Sequence, residues 1–308
     1  QGITLVNGSA RLVKGDPYPR VVVDSDAGEQ SLEGERILLA TGSVAVDLPS
    51  LPQDGARIGQ ARDALEYDAA PEHLVVVGGG YIGLELGSVW LRLGSRVTVV
   101  EMLEELLPGS DREVAETLLK ALKKQGMEIL AGTKVAAAEE STDGLTLRLE
   151  GKVEQELACD RVLVAAGRRP CTEGLGLEEL GVTLDENRRI AVDADYATSV
   201  AGVYAIGDLI AGPMLAHKAY GEAHVAAAAA AGEKALFDPR AIPAVVFTDP
   251  EVAWCGMTET EAREQKRKIK TAKLPWRSNG RTLTLGRDDG MSKVIVDPES
   301  DRVLGVGM

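Results

Sequence analysis

Three glycines stand in the pattern Gly78-x-Gly80-x-x-Gly83, directly after the apolar stretch His73-Leu74-Val75-Val76-Val77. They open a stretch with helical periodicity that runs to Leu93. A strand that turns into a helix in this way offers backbone N–H groups and the positive end of a helix dipole to an anion. The first glycine permits the tight turn, the second lets a pyrophosphate approach the backbone, and the third lets helix and strand pack closely. Gly79 belongs to the same turn, Tyr81 and Ile82 begin the helix, and Gly87 extends its close-packing face by one turn. Glu101 ends the next strand, 18 positions after Gly83. A carboxylate there accepts from the hydroxyls of an adenosine ribose, in charge-assisted bonds worth about 1.5–3 kcal/mol. A ribose 2′-phosphate would instead bring roughly two negative charges. At an effective dielectric of roughly 20, each charge pair in contact costs on the order of 4 kcal/mol. No arginine occurs in the ten residues after Glu101 to reverse that repulsion. The pattern predicts NAD rather than NADP.

Two other apolar stretches end on residues with chemical potential, Ala40-Thr41-Gly42-Ser43 and Ala205-Ile206-Gly207-Asp208. Asp208 reads either as a helix N-cap or as a ligand for a polyol, and the residues alone leave both open. Glu85 reads as an acid in the first turn of its helix, favoured there by the dipole. The three cysteines, Cys159, Cys171 and Cys255, lie 12 and 84 positions apart, which makes no disulfide scaffold and no metal cluster. Cys159 and Cys255 are expected to be buried and inert, and Cys171 to lie in a loop after Pro170. Free thiols make a reducing, cytoplasmic compartment the default.

The elements that must position these residues come from a chain of 308 residues, long enough for about two domains. A net charge of −14 argues against a nucleic-acid surface. No apolar stretch reaches the ~18 residues of a membrane span, and the first residues lack the basic-then-apolar pattern of a signal peptide. Only 2 Phe occur, so the core is expected to be aliphatic. Strands are predicted over residues 3–6, 20–24, 36–43, 73–77, 97–101, 161–167, 203–208, 244–248, 292–296 and 302–308, with three β-rich pieces between 134 and 157. Helices are predicted over 81–93, over 111–125 with Asp111 as cap and Gly126 as stop, over the alanine-rich 215–231, and over 258–266. The chain opens on a strand and stops on one, which by itself fits an intact protein as well as the central portion of a longer one.

The motifs together resemble the flavin- and NAD-dependent pyridine nucleotide–disulfide oxidoreductases, with the dihydrolipoamide dehydrogenase branch the best fit. The resemblance rests on residues 75–90, Gly167-Arg168-Arg169-Pro170, Ala205-Ile206-Gly207-Asp208, Gly212-Pro213-Met214-Leu215-Ala216-His217-Lys218 and Phe247-Thr248-Asp249-Pro250-Glu251-Val252-Ala253. It covers essentially the whole chain, in order. Mercuric reductases resemble the segments around Gly78 and Phe247 but fit Pro213 to His217 and Ser278-Asn279-Gly280-Arg281 less well; glutathione-type reductases are the other alternative within the family.

The resemblance implies an α/β fold: three-layer Rossmann-like FAD- and NAD-binding domains plus the start of an α+β dimerisation domain. Residues 1–72 would be the end of a first FAD segment and a linker, 73–190 the NAD domain, 191–240 a second FAD segment, and 241–308 the start of the dimerisation domain. Asp208 would bond the flavin's ribityl and pyrophosphate region. Met214, Leu215, Ala216 and His217 would begin a helix whose N–H groups face the flavin pyrimidine edge. Thr41, Gly42 and Ser43 would line the FAD path, and Ala10 would touch its adenine by backbone. Gly167 would lie against NAD and Val135 would flank its adenine. Tyr81 would cover the flavin until nicotinamide displaces it, unless it is an ordinary helix-start tyrosine. Glu85 would pair with a lysine beside the flavin.

By resemblance, two electrons would pass from dihydrolipoyl groups of a 2-oxo acid dehydrogenase or glycine cleavage complex through a Cys-x4-Cys pair and FAD to NAD, in a homodimer. A second Gly-x-Gly-x-x-Gly and that cysteine pair are expected before Gln1, and a base histidine after Met308. None of His73, His217 and His224 fits that histidine. The 308 residues by themselves are therefore expected to bind NAD without reducing a disulfide, which keeps a non-catalytic nucleotide-binding module as the reading of another class.

Overall fold

The strand His73–Val77 is buried at every position, as a strand covered on both faces must be. It lies in the centre of a five-stranded parallel sheet, between Arg96–Glu101 and Arg161–Val164. Glu128–Ala131 and Ile58–Gly59 form the two edges. Successive side chains serve opposite cores. Leu74, Val76, Val97 and Val99 meet Leu84, Leu118 and Leu122 of the helices Tyr81–Arg92 and Arg112–Lys124. Val75, Val77 and Val100 meet Val135, Leu145, Leu147 and Leu149 of an antiparallel sheet, Thr133–Ser141, Gly144–Gly151 and Gln155–Cys159. Helices, parallel sheet and antiparallel sheet make the three layers of an α/β fold.

This computed structural model describes residues 2–142 and 144–308. It contains two compact units, one of Ala45–Gly167 with Arg240–Met308 and one of Gln1–Val44 with Arg168–Pro239. The three-layer arrangement belongs to the first. In the same unit a five-stranded antiparallel sheet follows, in the order Ala244–Val246, Val252–Gly256, Val303–Gly307, Met291–Val296, Lys270–Pro275. Asp111 caps the Arg112–Lys124 helix by accepting from the Glu113 N–H at 3.1 Å, and Gly126, at φ 105°, terminates it. Asp111 also holds Lys293, a lysine only 1% exposed, whose Nζ lies 2.8 Å from Asp111 and Glu113 and 3.1 Å from Glu259. Burial works against the Lys293 charge, but the three carboxylates overcome it and hold its pKa above the usual range.

The second unit holds an antiparallel meander, Ser9–Val13, Arg20–Ser25 and Gly28–Glu33, and a parallel pair, Ile37–Leu39 with Val203–Ala205. Leu12, Leu39, Leu177, Ile190, Val203 and Leu209 build its core. The alanine-rich helix is Ala216–Ala230. Residues 3–6 do not form the strand their composition predicts. Ile3 and Leu5 stand 91% and 84% exposed, and pairing begins only at Ser9, opposite Asp24. β-branched residues favour a strand only where a neighbour supplies the ladder. Cys159 is buried as expected, whereas Cys255 is only half-buried, because it sits in the sparsely covered strand Val252–Gly256.

Candidate functional site

The glycine pattern folds into a turn gripped from three directions. The Gly78 N–H donates to the Val100 carbonyl at 2.9 Å, and the Gly79 carbonyl accepts from the Leu107 N–H at 3.0 Å. The Gly79 N–H donates to Glu101 Oε2 at 2.6 Å, while Oε1 of the same carboxylate accepts from the Leu103 N–H at 2.7 Å. Glu101 therefore lies against the glycine turn, anchored at the strand end where a ribose carboxylate belongs.

The glycines are not equivalent. A Cβ on Gly78 would stand 2.3 Å from the Ala165 carbonyl oxygen, and Gly78 has a φ of 117° that only glycine tolerates. A Cβ on Gly83 would stand 2.2 Å from the Gly78 carbonyl oxygen and 3.0 Å from Val76 Cγ1, so this position is one of helix–strand contact. A Cβ on Gly79 would strike Leu106 at 2.5 Å. A Cβ on Gly80 would meet nothing within 4 Å. Gly80 is also the N-cap of Tyr81–Arg92, a helix with no side-chain cap and no acid in its first turn. Open space beside an uncapped helix start suits a phosphate group.

Tyr81 is exposed and Ile82 half-buried at this helix start. Glu85 lies beyond the first turn, which corrects the sequence reading of a first-turn acid: the helix starts at Tyr81, so Glu85 is its fifth residue. Its Oε1 accepts from the Phe247 N–H at 2.8 Å. Gly167 is exposed at φ 122°, and its carbonyl accepts from the Val46 N–H at 3.0 Å. Val135 is buried in the core beneath the parallel sheet, next to a register shift between Val135 and Ala137.

A second group of candidate residues assembles in the other unit. Ser43 Oγ donates to Asp208 Oδ2 at 2.5 Å and accepts from Arg168 Nε at 2.7 Å. Thr41 Oγ1 donates to the Cys171 carbonyl at 2.8 Å, and the Cys171 N–H donates to the Gly42 carbonyl at 2.9 Å. Asp208 lies inside the short 3-10 turn Gly207–Leu209, whose N-cap is Ile206, so Asp208 is not a helix cap. A Cβ on Gly42 would meet nothing within 4 Å. Met214 and Leu215 are half-buried, Ala216 and His217 exposed, and no side chain caps the Ala216–Ala230 helix at Leu215. An aligned carboxylate and an uncapped helix start suit a ligand carrying both hydroxyls and acceptor atoms. Ala10 stands apart from this group, exposed in the strand Ser9–Val13.

The residues that sequence reasoning missed lie behind the second group. Lys218 and Glu222 form a buried ion pair, Nζ to Oε1 at 2.6 Å, that reaches the turn carrying Asp208. Their signal was a Lys and a Glu four apart in an otherwise alanine-rich helix.

The pyridine nucleotide-disulphide oxidoreductase family matches residues 1–223, and the dimerisation domain of the same family matches residues 242–308. The chain belongs to the pyridine nucleotide-disulphide oxidoreductases. Dihydrolipoyl dehydrogenases, a branch of this family, use FAD and NAD. The chain is 45% identical over 308 residues to a dihydrolipoyl dehydrogenase of Thermus scotoductus, covering 99% of this chain and 65% of that protein. It is 45% identical over 305 residues to dihydrolipoyl dehydrogenase 3 of Pseudomonas putida, covering 98% and 65%. It thus spans just under two thirds of these curated relatives, by the 65% coverage of each. Among solved structures, LpdA of Mycobacterium tuberculosis superimposes with a TM-score of 0.88 at 28% identity, covering 99% of this chain and 67% of that one. The HOCl-induced flavoprotein disulfide reductase RclA of Escherichia coli gives 0.87 at 28%, covering 98% and 68%. Among the described residues no helix is long and apolar enough to cross a membrane, and no group of acidic, histidine and cysteine side chains is arranged to hold a metal ion.

Proposed function

We propose that this protein is a dihydrolipoyl dehydrogenase-type flavoenzyme that takes two electrons from a dihydrolipoyl dithiol and delivers them to NAD. The observation that carries the nucleotide half of this reading is Glu101 bonded to the Gly79 N–H at 2.6 Å, beside the open space at Gly80. The dihydrolipoyl half rests on the names of the curated relatives. When bound, NAD and FAD supply the hydride-accepting and two-electron carriers that the polypeptide lacks.

The residues then take these roles. The Gly78–Gly80 backbone and the start of the Tyr81–Arg92 helix bind the NAD pyrophosphate. Glu101 accepts from the adenosine ribose hydroxyls and turns away a 2′-phosphate. Gly167 gives NAD a close backbone approach, and Val135 underlies its adenine. Asp208 binds the ribityl and pyrophosphate region of FAD, with Thr41, Gly42 and Ser43 along its path and Ala10 at its adenine. The start of the Ala216–Ala230 helix, from Met214 to His217, holds negative charge on the flavin pyrimidine edge. Tyr81 covers the flavin until nicotinamide displaces it, and Glu85 pairs with a lysine beside the flavin. The protein works as a cytoplasmic homodimer, and its partners are the lipoyl groups of a 2-oxo acid dehydrogenase or glycine cleavage complex.

The test is dihydrolipoamide-dependent NADH formation by the full-length protein. NADH formation that requires both dihydrolipoamide and NAD supports the reading. Its absence, with dithiol oxidation by no other acceptor, rejects it.

A further inference from the structure

The Ala216–Ala230 helix carries two charged side chains where its composition has almost none. Lys218 and Glu222 are 3% and 4% exposed and lie one turn apart on the same face. Burying two opposite charges is a weak source of stability in itself, so what the pair holds matters more than the pair. Its remaining bonds converge on one turn. Glu222 Oε2 accepts from the Gly207 N–H at 2.7 Å. Lys218 Nζ donates to the Gly207 carbonyl at 3.2 Å and to the Ala211 carbonyl at 3.4 Å. Gly207 is left-handed, at φ 73°, and a Cβ there would stand 3.3 Å from Ala219 Cβ, so the helix is seated directly on the turn. The residue after Gly207 is Asp208, whose carboxylate is steadied from the other side by Ser43 and, through Ser43, by Arg168.

We infer that Lys218 and Glu222 are positioning residues for Asp208: they hold the Gly207–Leu209 turn by both its N–H and its carbonyl and so aim the Asp208 carboxylate at FAD. This rests on the reading of Asp208 as a FAD ligand. Both side chains are buried behind the turn, 3% and 4% exposed. Both act through the backbone of Gly207. The ion pair lets one helix face present a donor and an acceptor to the two peptide groups that flank Gly207, which a lone charge could not do without remaining unpaired in the interior.

The experiment is a FAD titration, followed by flavin fluorescence, of the full-length protein stripped of flavin. Two double variants remove both charges, so neither leaves a lone buried ion. Lys218→Met with Glu222→Gln keeps an acceptor for the Gly207 N–H, and FAD binding should weaken only about threefold. Lys218→Met with Glu222→Leu removes donor and acceptor, and FAD binding should weaken about tenfold or more, with far-UV circular dichroism unchanged. In an Asp208→Ala background, the Leu variant should weaken FAD binding no further, because its effect passes through Asp208. Equal FAD affinity for wild type and both double variants would overturn the inference and leave the FAD reading standing. An undiminished effect of the Leu variant in the Asp208→Ala background would also overturn it. Should the Leu variant fail to fold, the Gln variant decides: faster Gly207 amide exchange with unchanged FAD affinity refutes positioning. A wild-type protein that takes up no FAD rejects the FAD reading itself, and this inference with it.

Discussion

Replacing Gly80 by alanine separates binding from folding at the glycine turn. Gly80 has φ −78° and ψ 179°, which alanine adopts freely, and an added Cβ meets no atom within 4 Å. Alanine restricts the unfolded chain, a gain of about 0.4–1 kcal/mol, against which stands the weaker N-cap preference of alanine. Stability should therefore stay within about 1 kcal/mol of wild type. The same methyl projects into the space left for a pyrophosphate. It should displace the phosphate from the helix-start N–H groups and cost at least one charge-assisted hydrogen bond, about 1.5–3 kcal/mol, which is roughly tenfold to a hundredfold in NAD affinity. Gly83→Ala is the control. Its Cβ would lie 2.2 Å from a backbone oxygen, an overpacking that should cost about 1–3 kcal/mol of stability as well as binding. Urea unfolding and NAD calorimetry on both variants read the two quantities. The reasoning fails if Gly80→Ala binds NAD as tightly as wild type, or if it loses as much stability as Gly83→Ala.

Three further outcomes follow from the packing. Burial, with Asp160 nearby, pushes the Cys159 thiol up to about 12, so Cys159 should resist alkylation in the native protein and react only after unfolding, as mass spectrometry of labelled peptides would register. Burial, with the Arg96 guanidinium adding to it, pushes His73 below its ordinary 6.5; the unfolded state then binds more protons, so stability is full above 6.5 and should fall as pH drops from there through the folded value. Denaturant midpoints measured across that window, for wild type against His73→Gln, would show a flattened pH slope in the variant. Lys293→Met should leave the buried Asp111 carboxylate without its counter-charge and destabilise the protein by about 3 kcal/mol; a midpoint shift in urea too small for 1 kcal/mol would contradict the compensation of the Lys293 charge by this cluster.

The elements that the sequence exposes are those governed by local chemistry. The five buried apolar residues of His73–Val77, the cap Asp111 and the stop Gly126 are written in consecutive residues, and each is where the pattern predicts it. Glu101 is legible because the strand–turn–helix spacing brings a strand end back to the glycine turn. The misreadings occur where a partner outside the segment decides. Residues 3–6 have β-forming side chains but no ladder neighbour before Ser9. Glu85 is a different case: the helix start is where the sequence puts it, and a count from Tyr81 already makes Glu85 its fifth residue, past the first turn. Asp208 is committed by Ser43, 165 positions away, and Lys293 by Asp111, 182 positions away, and no local pattern encodes such meetings. The Lys218–Glu222 pair has local spacing, but spacing alone does not distinguish a solvated i, i+4 pair from one buried under a turn.

The central claim is that Glu101 and the glycine turn form a site that takes NAD and rejects NADP. Calorimetric titration of the protein with each nucleotide, beside the variant Glu101→Ala, tests it most directly. The account predicts that wild type binds NAD, that NADP binds at least about tenfold more weakly, and that Glu101→Ala loses about tenfold of the NAD affinity while narrowing the gap to NADP. Equal affinity of wild type for the two nucleotides, or NAD affinity unchanged by Glu101→Ala, would contradict it.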